Sequence, residues 1–92
     1  MSKLVLLKGL DEKALSAALS IEGSAIMLLQ DAVYMAGESP QVKEALNKHT
    51  FYILGGDAAK RGLLLESLEG LLILGYDELV DLMFSGVEVI NL

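Results

Sequence analysis

Apolar residues in this chain fall into two patterns. Unbroken runs occupy Lys3–Leu7 after its lysine, positions 25–29, and Thr50–Leu54 after its threonine. Runs of that length suit strands covered on both faces, as in a parallel sheet sandwiched by helices. The stretch 24–31 is the clearest case. Its run Ala-Ile-Met-Leu-Leu stops abruptly at Gln30 and Asp31, which places two polar side chains at a strand's carboxyl end. Sheets of this kind gather their binding surfaces at that end.

Between the runs the period changes from continuous to three-and-four. Asp11 is a predicted N-cap for a helix over 11–20, with Leu15, Ala18 and Leu19 on one face and Glu12, Lys13 and Ser16 away from it. Asp31 is expected to cap a short helix over 32–36 that Gly37 stops, and Ser39-Pro40 to restart helix with Val42, Ala45 and Leu46 inward. Gly55-Gly56-Asp57 turns the chain into a short helix over 58–61, halted by Gly62. Residues 63–69 fit a helical face through Leu64, Leu65 and Leu68, although the run is short. A fourth strand is expected at 71–74. A last helix begins at Tyr76-Asp77, with Leu79, Val80 and Met83 inward and Glu78 and Asp81 outward, and ends at Gly86. A fifth strand is expected at 87–90. Strand–helix alternation of this kind implies right-handed crossovers and a parallel sheet, hence an α/β fold. No linker, repeat or low-complexity segment interrupts 1–92, which reads as one domain.

Composition adjusts this picture in three ways. The apolar fraction is 53% and the mean hydropathy +0.51, high for a small domain that keeps to itself. An outer face that oligomerisation covers would account for the excess. No apolar run reaches the roughly 20 residues of a spanning helix, and Ser2-Lys3 leads straight into a strand with no signal-peptide pattern, so a cytoplasmic location is expected. The net charge of -6 argues against direct nucleic-acid binding, even if Lys43, Lys48, Lys60 and Arg61 gathered locally. Finally, the chain has no cysteine. It can form no disulfide or thiolate metal site and can carry no persulfide.

Three segments, in order, resemble the DsrH/TusB family of small sulfur-relay subunits. Leu28-Leu29-Gln30-Asp31-Ala32-Val33 is similar to that family's strand-end "LLQDGV" run. Asp57-Ala58-Ala59-Lys60-Arg61-Gly62 is similar to its "D-x-x-A-R-G" segment, and Tyr76-Asp77-Glu78-Leu79-Val80-Asp81-Leu82 to its closing "Y-x-x-F-V-x-L" helix. Ala32 replaces the usual Gly and Lys60 the usual Ala. Some members carry a cysteine in the first helix, roughly where Ser16 stands here. The resemblance implies a three-layer α/β/α domain with a four- to five-stranded parallel sheet, in the order 4-3-2-1-5. It also implies partners of the DsrE/DsrF (TusD/TusC) kind, one of them bearing a reactive cysteine. Such assemblies serve tRNA wobble-uridine thiolation or dissimilatory sulfur metabolism, and this chain would be their non-catalytic docking member. No cofactor is expected.

Candidate site residues carry more than one reading. Asp31 fits either an interfacial pocket wall or a helix N-cap. Gly55-Gly56-Asp57 could offer N–H groups to an anion, in a stand-alone homo-oligomeric ligand-binding domain, or could be an ordinary turn capped by Asp57. Lys60 and Arg61 fit a docking site or a solvated helix end. Val33, Tyr34, Met35 and the Met83-Phe84 pair fit a partner surface or the core. His49, the lone histidine, reads as a loop residue before a strand. The candidate interface is therefore Gln30, Asp31, Val33, Tyr34, Met35, Asp57 and Arg61. An enzyme built on Asp31 and Arg61 would lack an evident nucleophile or acid–base pair.

Overall fold

Two strands, β1 (Lys3–Leu7) and β2 (Ser24–Leu28), have four of five residues buried each and form the middle of a sheet. The computed structural model describes residues 2–64 and 68–92. It adds β3 (Thr50–Leu54), β4 (Leu72–Leu74) and β5 (Glu88–Asn91), all paired in parallel in the order β4-β3-β2-β1-β5. This is the predicted α/β fold and strand order. The five-residue strands of the apolar runs are those with neighbours on both sides; the shorter β4 and β5, of three and four residues, are the edges.

Topology explains how the helices are shared between the faces. From β1 to β4 the chain steps steadily one way across the sheet, and then α5 (Tyr76–Met83) carries it back past every strand to β5. Crossovers of one hand put helices on one face while the chain advances and on the other when it returns. Accordingly α1 (Glu12–Leu19), a 3-10 segment (Gln30–Tyr34), α2 (Met35–Glu38), α3 (Pro40–Ala45) and α4 (Gly55–Lys60) pack together on one face. There Leu15, Val33, Met35, Val42 and Ala58 meet Val5, Leu7, Ile26, Leu28, Phe51 and Ile53. Among the described residues the other face has α5 as its one helix, with Leu79 over Leu4, Leu6, Ala25 and Met27.

Coverage by α5 runs out towards β4. The register aligns Leu6, Met27, Tyr52 and Leu72 in one row across that face. Leu6 and Met27 are buried, Tyr52 is half-buried, and Leu72 is 52% exposed. Tyr76 and Phe84, at the two ends of α5, are 70% and 86% exposed. Part of the high mean hydropathy is therefore on this surface.

Several local expectations need correction. Asp11 caps α1 as predicted, its Oδ1 accepting from the N–H groups of Lys13 (2.9 Å) and Ala14 (3.1 Å). Asp31 caps nothing: it lies inside the 3-10 segment, whose N-cap position is Leu29. Gly37 does not stop helix but lies within α2. Helix α4 begins at Gly55, ahead of the predicted start, so Asp57 lies in its first turn and is not its cap. Strand β4 starts one residue late and β5 is shifted by one. On α5 only Leu79 is fully buried, while Val80 and Met83 are half-buried. The predicted helical face at 63–69 falls partly on 65–67, outside the described residues; Leu63 and Leu64 are not helical and Leu68 is buried.

Candidate functional site

At the carboxyl end of β2 the chain makes an abrupt turn. Gln30 takes a left-handed conformation with φ +48°, the only non-glycine with positive φ among the described residues. A side chain there crowds the backbone, so neighbours must hold the conformation. Asp57 does so from α4, its Oδ2 accepting the Gln30 backbone N–H at 2.7 Å. The first N–H of the 3-10 segment would otherwise be one of the orphan donors at a helix start. Because Leu29 offers no side-chain oxygen, a carboxylate 27 residues away acts as the cap.

A second link runs the opposite way. Arg61, following α4, donates from Nε to Asp31 Oδ1 at 3.0 Å and from Nη1 to the Asp57 carbonyl at 3.2 Å. Its side chain is mostly covered, at 23% exposure, whereas that of Asp31 is 63% exposed. The Asp31–Arg61 ion pair thus lies at the surface, where such pairs contribute at most about 1 kcal/mol. On the same turn the Ala32 N–H reaches the Lys8 carbonyl at 3.3 Å, tying in the end of β1. Gln30, Asp31, Asp57 and Arg61 therefore meet in one cluster above the carboxyl ends of β1, β2 and β3.

The remaining members of the predicted interface are placed differently. Val33 and Met35 are 0% and 2% exposed, inside the larger core, and cannot contact a partner. Their spacing served the helix–sheet packing, the other reading of an apolar stripe. Tyr34 is half-buried between them. The four cations that could have formed one basic patch are also separated: Lys48 precedes β3, whereas Lys60 and Arg61 follow it, and Arg61 is engaged with Asp31.

Chemically, the cluster can hold a shape and accept hydrogen bonds. Asp31 offers an exposed carboxylate, and Gln30 an exposed amide beside it. Nothing in the cluster is a thiol, and no group of three or more His, Asp or Glu among the described residues is arranged to hold a metal ion. No helix among them is long and apolar enough to cross a membrane.

Two features escaped the sequence. Ser16 donates from Oγ to Gln41 Oε1 at 2.9 Å; Gln41 Nε2 in turn donates to Glu12 Oε2 at 2.6 Å, which also accepts from Ser39 Oγ at 3.2 Å. This network pins the outer side of α1 to the start of α3. The second feature is a cleft of about 540 Å³ at the opposite, amino-terminal end of the sheet, lined in part by Glu22, Lys48 and His49. The isolated histidine, read as a loop residue, is part of its wall. No local motif marks either feature, because each joins segments distant in sequence.

A five-stranded parallel sheet in this order, with a polar cluster sealing the exit of β2 and no cysteine in the chain, defines a small α/β domain with no thiol on which to hold a persulfide. The family profile described as "DsrH like protein" matches residues 10–88, so the chain belongs to the DsrH-like family. No curated protein matches the chain. The matched span includes all three segments that carried the resemblance.

Proposed function

We propose that this chain is a cysteine-free docking subunit of a cytoplasmic sulfur-relay assembly, shaping a partner's active site without itself catalysing transfer. The observation that carries the reading is membership of the DsrH-like family in a chain with no cysteine. A relay passes sulfur as a persulfide on a thiolate, and no side chain here can take that place. The transferring cysteine must then belong to a DsrE/DsrF (TusD/TusC)-like partner. The half-covered sheet face at Tyr52 and Leu72, and the exposed Tyr76 and Phe84 at the two ends of α5, support an oligomeric role. By family likeness the pathway is tRNA wobble-uridine 2-thiolation or sulfur oxidation.

Affinity purification of the tagged chain from its native cells, followed by mass spectrometry, tests this reading. A cysteine-bearing relative should be recovered in comparable amount, and that relative should accept a persulfide while this chain does not. Recovery of this chain alone, with no sulfur-transfer protein beside it, would count decisively against the proposal. A stand-alone anion-binding role at Gly55-Gly56-Asp57 loses its motivation. Asp57 puts a carboxylate in the first turn of α4, where an anion would meet it.

A further inference from the structure

The cleft at the amino-terminal end of the sheet continues into a shallower groove of about 200 Å³ that shares Leu19, Lys48 and His49 as walls. Glu22 lies on the larger lobe and Glu44 on the smaller. Opposite charges therefore line one cavity, yet none of these four ionisable side chains makes an ion pair or side-chain hydrogen bond among the described residues. That contrasts with the carboxyl end, where Arg61 and Asp31 have closed on each other. Leu19 and Ile21 add an apolar wall, and both are half-buried. The larger lobe is within the usual size range of small-molecule sites, about 300–1,000 Å³.

We infer that this cleft binds a small zwitterion of the amino-acid class, its carboxylate on Lys48 and His49, its ammonium on Glu22, and its side chain against Leu19 and Ile21. Charge selects this class over a simple anion. An anion would meet Glu22 in the same lobe and the repulsion of a chain with net charge -6, whereas a zwitterion has no net charge to repel and satisfies both signs. A simple cation would meet Lys48 in turn. The inference does not depend on the sulfur-relay reading: the cleft lies at the other end of the strands from the Asp31–Arg61 cluster.

Amide NMR titration of the whole chain tests it, with L-leucine, L-methionine, L-valine and L-phenylalanine as net-neutral zwitterions and acetate and ethylammonium as single-charge controls. At least one amino acid should give saturable shifts confined to residues 19–25 and 44–50. Acetate or ethylammonium alone should bind about tenfold more weakly or worse, as loss of one charged hydrogen bond implies. Lys48→Gln and Glu22→Gln should each weaken binding by a similar factor with unchanged spectra elsewhere; both residues are exposed, so both variants should fold. Absence of saturable shifts with all four amino acids overturns the proposal. So does acetate binding as well as the amino acids, or unaltered binding in both variants. Failure of the relay proposal would leave these titrations unaffected.

Discussion

The two faces of the sheet are made from the same alternating strands yet are finished differently. One is covered by α1 to α4 as far as β3, where Val5, Ile26, Phe51 and Ile53 are at most 1% exposed, and opens only at the edge strand, where Ile73 is 42% exposed. The other is closed over β1 and β2 by α5 and left open over β4, where Leu72 is 52% exposed. Strand chemistry does not set this difference, since in β3 Leu54 is as apolar as Ile53 and yet only half-buried, whereas Ile53 is fully buried. It follows from topology: three forward crossovers stack on one side, and the single return helix must cover the other alone. The covered face holds the larger core, and the other leaves apolar surface at Tyr52 and Leu72 in contact with water.

The sharpest test of that division is to truncate one large side chain on each face. Phe51→Ala should destabilise the chain by about 3–5 kcal/mol, because it leaves a cavity in a closed layer. For a domain whose whole stability is on the order of 5–15 kcal/mol, that is a large share. Leu72→Ala should cost less than about 1 kcal/mol, since half its surface already meets water. Both are measurable by urea denaturation. Equal losses at the two sites would mean that the open face is closed in solution by something within the chain, and the contrast would collapse.

The link between Gln30 and Asp57 comes next in size. Asp57→Ala removes the acceptor of the Gln30 N–H and should cost about 1–2 kcal/mol, the usual value of a helix cap. Gln30→Gly should act the other way, adding up to about 1 kcal/mol by relieving the left-handed φ of +48°. If Gly at 30 were neutral or harmful, the turn would not be held there by Asp57 against strain. Arg61 and Asp31 contribute less still. Asp31→Ala should cost under about 1 kcal/mol, and raising salt should shrink even that difference.

Much of this architecture is legible in the chain because its strands are continuous apolar runs bounded by polar stops. Lys3–Leu7 and Thr50–Leu54 are found with those boundaries. Asp11 announces α1 by a rule that acts within three residues. The same rule misled at Asp31, because capping propensity is local while the acceptor that Gln30 uses comes from Asp57 in another helix. Val33 and Met35 look alike in a core stripe and in a docking patch; only packing beneath α1 to α3 decides between them. The cleft at Lys48 and His49 joins the end of α1 to the start of β3, and no spacing along the chain encodes that proximity.

The smallest effect on the chain itself should come from Phe84. At 86% exposed, beyond the end of α5, its ring contributes little to folding, and Phe84→Ser should change stability by no more than about 0.5 kcal/mol. Yet a large aromatic kept in water costs solubility for no internal gain, and aromatic side chains are the typical anchors of interfaces. If the open face receives a partner subunit, the same substitution should weaken that association by about tenfold or more, read by titrating the purified partner in a calorimeter. The pair of measurements separates the two faces more cleanly than either alone. A substitution that spares the fold and loses the partner assigns the open face to assembly; one that melts the chain shows Phe84 to be part of the core, and the division between the faces would have to be redrawn.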